Sequence, residues 1–365
     1  MSDKSVGVDL SPNMYEHFYL HGNLYIIALK NPGHLYVYTM NKYGQLFQLI
    51  GMLYSYGGYR RRCSFMVNPH LPNVIYANFQ NDWGKVGTYV SFDNGKQFQP
   101  LELKDSSDCP ENNCLINLNL QCDTDLIKNH FPDKWIVKFQ GTYNKNGDTQ
   151  SRIFFSFDGG KSWKMSESKI ENLIILKRGS LMFGAEKLSG RISFSYDQGI
   201  HWYNTNLEDT NFIVINQLES QNNLGIAAIN YNERNQIYSL FLFNFSRVIC
   251  INVLMIDRTC YNEDFEVWYV PRYHENCYQG LAISYLRKKP SVMCIDNRTF
   301  HLPKIKSCPC SLEDFQWYHD GNHSEPNYYY KDNFCVLDSR SEFVEFFNTC
   351  RDGAIALNHL NGYER

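Results

Sequence analysis

No stretch of the 365-residue chain reaches the roughly 18 uninterrupted apolar residues that a membrane-spanning helix needs. The most apolar region, Leu240 to Ile256, is broken by Asn244, Ser246 and Arg247. The opening residues, Met1-Ser-Asp-Lys-Ser-Val-Gly, lack the apolar core of a secretory leader. Net charge is only −3, which gives no reason to expect a nucleic acid or another polyelectrolyte as partner. Long helical periodicity is missing, and that speaks against an α-helical fold. There is no H-E-x-x-H, no G-x-S-x-G elbow and no glycine-rich phosphate loop. No cofactor, resident metal or catalytic residue is therefore expected.

What is present is a turn written three times. Ser91-Phe-Asp93-Asn-Gly95-Lys-Gln-Phe98, Ser156-Phe-Asp158-Gly-Gly160-Lys-Ser-Trp163 and Ser195-Tyr-Asp197-Gln-Gly199-Ile-His-Trp202 share S-x-D-x-G-x-x-[WF], the Asp box. The carboxylate can accept amides across its own turn, the glycine permits a positive φ, and the aromatic can fold back over the turn. Each copy follows a run rich in aromatic, β-branched and hydroxyl side chains: Val86 to Phe92, Arg152 to Phe157, Ile192 to Tyr196. The boxes are thus expected at hairpin tips, in a structural role. A calcium loop is a poor alternative: counted from Asp93 and Asp158, the twelfth residues are Lys104 and Lys169, where an EF-hand needs glutamate.

Further strand-like runs are Leu24 to Leu29, Leu35 to Thr39, Val74 to Phe79, Trp135 to Phe139, Ser180 to Gly184, Gly225 to Asn230 and Ile237 to Phe243. The boxes stand 65 and then 39 residues apart. The second interval is near one four-stranded propeller blade; the first suggests a blade with an insertion, and Cys109 to Pro132 is the candidate. Tyr38 to Phe47 reads as a degenerate blade end without the aspartate. Aromatics make up 15% of the chain, which suits packed sheets and aromatic-lined binding surfaces.

Cysteine is unevenly spread. Of twelve, eight fall in residues 250–365. A dense, loop-rich set of this kind reads as a disulfide module from an oxidising compartment. The sequons at Asn244, Asn297 and Asn322 agree with it. Zinc is a weaker reading of Cys308-Pro-Cys310 with Cys294 and Cys335, because the C-x₂-C spacing is absent. The repeats stop near residue 256. The expected division is a partial propeller over 1–255 and a cysteine-rich module in two halves, 256–310 and 311–365.

Asp boxes followed by Cys308-Pro-Cys310-Ser-Leu-Glu313-Asp314-Phe315 resemble the sortilin family of vacuolar-protein-sorting receptors. Cys109 and Cys114, Cys260-Tyr-Asn-Glu-Asp-Phe-Glu-Val-Trp268, Cys277, Cys294 and Cys350 to Gly362-Tyr-Glu-Arg fall in the family's order. The resemblance implies an all-β fold: the last four to five blades of a ten-bladed propeller, then a small disulfide-rich module. It implies the pairs Cys109–Cys114, Cys260–Cys294 and Cys277–Cys308. The chain departs from the family where Trp317 replaces a cysteine after Glu313-Asp314-Phe315, which leaves Cys335 without its expected partner. Cys310 and Cys350 also lose theirs, and His201 stands where the third box often carries cysteine.

The function implied is that of a piece of a sorting-receptor ectodomain. It would bind protein or peptide cargo for Golgi-to-endosome, lysosome or vacuole traffic, in a secretory or endosomal lumen, with the parent receptor anchored in the membrane. The family's ligand-binding residues are not carried over, and Arg60, Arg61 and Arg62 read as a solvated run. A degenerate or soluble paralogue without cargo binding is the runner-up. An Asp-box propeller glycosidase comes last, for want of paired carboxylates and an arginine triad. An open blade array would also expose sheet edges and invite self-association.

Overall fold

The computed structural model describes most of residues 14–308, with the hairpin strands at 328–331 and 334–337. Residues 1–13, 22, 32–33, 41–45, 57–62, 82–83, 105–114, 122–128, 146–147, 167–169, 187–190, 208–210, 219–224, 246–258, 274–275, 279–280, 293, 295, 297, 299–301, 309–327, 332–333 and 338–365 are outside that description. The expected boundaries after 255 and 310 fall in two of these segments.

The chain is all-β: consecutive antiparallel sheets built like propeller blades, followed by cystine-linked strands. Two compact units divide it, one formed by residues 1–99, 269–285 and 302–365, the other by 100–268 and 286–301.

The first unit opens with β1 (Met14–Leu20), β2 (Asn23–Asn31), β3 (His34–Met40) and β4 (Leu46–Tyr54). Next come β5 (Phe65–Val67), β6 (Ile75–Gln80), β7 (Val86–Ser91) and β8 (Gln99–Pro100). One hydrogen bond register, Leu53 opposite Phe79, joins the two groups of four into a single ladder. Tyr25, Ile27, Leu35, Val37, Ile50 and Leu53 from the first group bury against Phe65, Val67, Ile75 and Ala77 from the second. Fully burying side chains of this size stabilises by about 1.5–3 kcal/mol each. The segment read as a degenerate blade end is the β3–β4 hairpin, with its turn at 41–45 outside the described residues.

The second unit holds three further sheets. β9 (Ile116–Leu118), β10 (Val137–Lys145), β11 (Asp148–Ser156) and β12 (Lys164–Met165) form one, in the order β12-β11-β10-β9. The stretch 109–132 is therefore not all insertion: Ile116, Asn117 and Leu118 pair with Tyr143, Thr142 and Gly141 and supply the fourth strand. That strand is only three residues long, below what alternation can reveal.

The next sheet runs β13 (Ile170–Leu176), β14 (Leu181–Glu186), β15 (Arg191–Ser195), β16 (Tyr203–Asn206). All of β14 is buried and all of β16 is exposed, so burial drops from the central strand to the outer edge. β17 (Phe212–Gln217), β18 (Gly225–Asn232) and β19 (Ile237–Asn244) form a three-stranded sheet. Phe212, Ile226 and Ala228 from it, with Phe245 just past β19, share a core with Leu181, Phe183, Ala185 and Ile192.

Beyond residue 258, β20 (Phe265–Tyr269) carries Trp268, edge-on to Trp135 at 6.1 Å in the second unit. β21 (Leu281–Lys288) pairs with β22 (Lys304–Ser307), and β23 (Tyr328–Lys331) with β24 (Phe334–Leu337), where Cys335 sits opposite Tyr330.

Candidate functional site

The three Asp boxes link the third and fourth strands of their groups: 91–98 joins β7 to β8, 156–163 joins β11 to β12, and 195–202 joins β15 to β16. Their local geometry is nearly the same. The serine hydroxyl donates to the aspartate Oδ1 at 2.8 Å from Ser91, 2.8 Å from Ser156 and 2.9 Å from Ser195. That hydroxyl also accepts the amides of Gly95, Gly160 and Gly199 at 2.8, 2.9 and 2.9 Å. The same Oδ1 accepts the amide four residues on: Gln97 at 3.0 Å, Ser162 at 2.8 Å, His201 at 2.9 Å. Two successive left-handed residues close each turn. They are Asn94 and Gly95 (φ 60° and 84°), Gly159 and Gly160 (73° and 92°), Gln198 and Gly199 (59° and 77°). Asn tolerates this conformation, Gly is free in it, and Gln is strained by it.

Differences lie around the shared turn. Trp163 is fully buried, and its Nε1–H donates to the Gly160 carbonyl at 2.9 Å. Its backbone also bridges Leu103, giving its amide to Glu102 and receiving that of Lys104. Phe98 lies edge-on to Phe79 at 5.2 Å, and Trp202 is half-buried. The second carboxylate oxygen is met by Ser162 Oγ at 2.5 Å in the second box and by His201 Nδ1 at 2.6 Å in the third. Over the first box lies Tyr273, whose hydroxyl donates to backbone carbonyls, 2.8 Å from that of Gln97 and 3.2 Å from that of Val90.

Burial pushes the Asp93 carboxyl above its ordinary range, against the Gln97 amide, the Ser91 hydroxyl and Lys96. The neighbouring Tyr273 phenol is also raised, by burial first and then by the Asp93 charge. At Asp197 burial pulls upward, but the amide and ring of His201 and the Ser195 hydroxyl outweigh it and hold the carboxyl low.

A second constellation, which sequence reasoning missed, lies within the second unit. Arg178, in the tight turn between β13 and β14, has φ 56°. Its Nε meets Asp133 Oδ2 at 3.0 Å, and its Nη1 lies 3.5 Å from Asp296 Oδ2 and 2.9 Å from the Arg298 carbonyl. Arg298 grips both oxygens of Asp296 at 2.9 Å and stacks 3.6 Å from the Phe265 ring centre. Burial raises the Asp296 carboxyl, and the bonds and charges of Arg298 and Arg178 bring it below the ordinary range. Lys288, 2% exposed, donates to the Val292 carbonyl at 2.9 Å, and burial pushes its amine down to about 8 despite Asp296, Asp197 and Asp264. The signal for this network was thin: Arg178 precedes a glycine, and Arg298 stands inside a sequon.

Lys138 on β10 points at the Leu173 carbonyl (2.5 Å), and burial lowers its amine to about 8. His130 gives Nδ1–H to the Lys138 carbonyl at 3.0 Å and stacks on Phe139, and burial takes its ring down to about 4. Perturbed groups attract attention as catalytic candidates. Among the described residues neither is bonded to a carboxylate or a nucleophile, so both read as wall residues.

The chain joins Cys260 to Cys294, and Cys277 to Cys308. Asp264 lies beside the first pair, but cystine sulfurs are not thiolates and make that trio a poor metal site. Cys63 is also disulfide-bonded. Cys109, Cys114, Asn297, Asn322, Cys310 and Arg60 to Arg62 lie outside the described residues, whereas Asn244 is exposed at the end of β19. Among the described residues no helix is long and apolar enough to cross a membrane.

Comparison with known proteins is consistent across the chain. The family model described as "Sortilin, neurotensin receptor 3, C-terminal" matches residues 210–365, and its companion for "Sortilin, neurotensin receptor 3" matches 66–216. "Vacuolar protein sorting/targeting protein 10" of Talaromyces marneffei is 24% identical over 272 residues, covering 67% of this chain and 17% of that protein. Its namesake in Talaromyces stipitatus is 26% identical over 274 residues, with the same shares. The chain therefore spans about one sixth of the length of these relatives. Among solved structures, a GH74 enzyme of Niastella koreensis overlays with a TM-score of 0.32 at 14% identity, over 62% of this chain and 35% of that one. A likeness of that size carries no argument. With family models running from residue 66 to 365 over Asp-box sheets that lead into cystine-linked strands, this chain belongs to the sortilin family.

Proposed function

We propose that the chain serves as part of a sorting-receptor ectodomain that binds protein or peptide cargo and does no chemistry on it. The observation that carries this reading is how the box carboxylates are used. Asp93, Asp158 and Asp197 each accept amides of their own turn and a serine hydroxyl, so none stands ready as acid, base or nucleophile. The repeated motif shapes blades and leaves recognition to surfaces. Strand addition along blade edges and aromatic contacts are the modes such sheets offer an extended peptide.

On this reading the setting is the Golgi and endosomal lumen and the parent receptor is anchored in the membrane; the resemblance to proteins named for vacuolar protein sorting and targeting supports it. The test is direct binding: the folded full chain is immobilised and exposed to a panel of propeptides and mature cargo proteins. Saturable binding of any member, abolished by unfolding, supports the proposal. A folded chain that binds none points to the non-binding paralogue, and turnover of a fluorogenic sialoside or glucan points to a glycosidase.

A further inference from the structure

Two cystines of the chain sit in opposite electrostatic surroundings. In the second unit, the Sγ atoms of Cys260 and Cys294 and a carboxylate oxygen of Asp264 all lie within 4.8 Å of one another. Asp264 and Cys294 are buried and Cys260 is half-buried, so one end of the bond meets solvent. The turn that Asp264 closes fixes its carboxylate, whose Oδ2 accepts the Tyr261 amide at 2.7 Å. Lys288, a cation in its field, gives its amine to the Val292 carbonyl. In the first unit, the Cys277–Cys308 cystine is half-buried at both ends. Tyr278, next to Cys277, carries the Lys96 and Arg272 cations over its ring at 5.4 and 5.0 Å. Lys306 stands exposed two residues before Cys308.

Thiol–disulfide exchange is an attack by a thiolate, and its transition state spreads negative charge over the sulfurs in line. A carboxylate beside those sulfurs raises the barrier, and cations near them lower it. We propose that Asp264 is a redox guard, whose carboxylate withholds Cys260–Cys294 from thiol exchange, so that a dithiol reductant opens Cys277–Cys308 first. At Cys277–Cys308 one thiolate of the dithiol attacks a sulfur, the S–S bond breaks, and the other cysteine leaves as a thiolate and takes up a proton. The second thiol of the dithiol loses its proton and displaces the first cysteine, which is protonated in turn. The dithiol is oxidised to a disulfide, and the cystine is reduced to two thiols. This chemistry is the chain's own and does not depend on cargo binding.

The test is timed reduction of the folded full chain by dithiothreitol at neutral pH without denaturant, quenched by alkylation and mapped by mass spectrometry. Each cystine is then the other's control. Cys277–Cys308 should open faster by about tenfold or more. Asp264→Asn keeps an oxygen for the Tyr261 amide and removes the charge. It should speed the opening of Cys260–Cys294 about tenfold and leave Cys277–Cys308 unchanged. A second measurement needs no variant. Exchanging an anionic thiol, mercaptoacetate, for a cationic one, 2-aminoethanethiol, should raise the wild-type rate at Cys260–Cys294 more than at Cys277–Cys308; the thiols' own reactivities cancel from that ratio. If Asp264→Asn does not fold, the comparison of thiols decides alone. Cys260–Cys294 opening first in the wild type overturns the guard. So does an unchanged rate there in Asp264→Asn, an equal acceleration of both cystines, or an equal response of the two to thiol charge.

Discussion

The first and third Asp boxes share a turn and differ in everything around it. Asp93 is 9% exposed, its carboxyl is raised by burial, and Tyr273 from a distant part of the chain closes over it. Asp197 is held low by its own neighbour His201, whose side chain is 74% exposed. One motif therefore serves as a joint closed over by a distant side chain in one place and as a turn whose carboxylate is met by its own neighbour in another. The closure is local and encoded in eight residues; the energetic weight comes from what packs on it.

Truncating the carboxylate should separate the two most widely. Asp93→Ala strands the Lys96 and Gln97 amides and the Ser91 hydroxyl in a buried setting and should cost about 3–4 kcal/mol. Asp197→Ala frees the Ile200 and His201 amides close to water and should cost about 1–2 kcal/mol. Urea unfolding midpoints at neutral pH measure both. Equal losses would mean that burial does not distinguish the boxes.

Replacing each aspartate by asparagine turns the comparison into one of sign. Asp93 has a folded pKa above its unfolded value, so its ionisation opposes folding, and wild-type stability falls as pH rises through that range. Asp197 is depressed, so it contributes stability above the unfolded value that is lost as pH falls through the folded one. Relative to wild type, Asp93→Asn should gain ground from pH 3 to 6 while Asp197→Asn loses it. Unfolding curves across that range check the opposite slopes.

The residue after each aspartate sharpens the contrast further. Asn94 is left-handed and also accepts the Tyr25 hydroxyl at 2.9 Å in the core. Asn94→Gly should therefore cost about 1 kcal/mol. Gln198 is also left-handed, but its side chain is buried, so Gln198→Gly sets released backbone strain against lost burial and should change stability by at most about 0.5 kcal/mol. A thermal midpoint that falls further for Gln198→Gly than for Asn94→Gly would undo this reading.

What was legible in the sequence follows the range of the interactions. The box bonds reach no more than four residues, and the flanking runs from Val86, Arg152 and Ile192 became β7, β11 and β15. The apolar β-branched runs of β2, β3, β6, β14, β18 and β19 were readable for the same reason. Short strands such as β5 and β9 were not, because three residues carry no period. Nor was the Tyr273 contact with Gln97, 176 residues away, or the Arg178 bond to the Arg298 carbonyl, 120 residues away. Nothing local at Arg178 says that Asp133 and Asp296 converge on it; only the folded chain brings them within reach.

His201 offers the smallest and most pointed test. Its ring lies 2.6 Å from Asp197 Oδ2, yet it is largely in water, where an ion pair contributes well under about 1 kcal/mol. His201→Ala keeps the backbone amide that closes the turn, so the loss at neutral pH should be at most about 0.5 kcal/mol. The carboxyl should respond more than the stability does. With the ring gone, Asp197 keeps the amide and Ser195 but loses two of the influences that hold it low, and its titration should move upward. Carbon-detected NMR of the Asp197 carboxyl reads that shift directly. An unmoved titration would assign the depression to the turn amides alone, and would make the third box differ from the first only in burial.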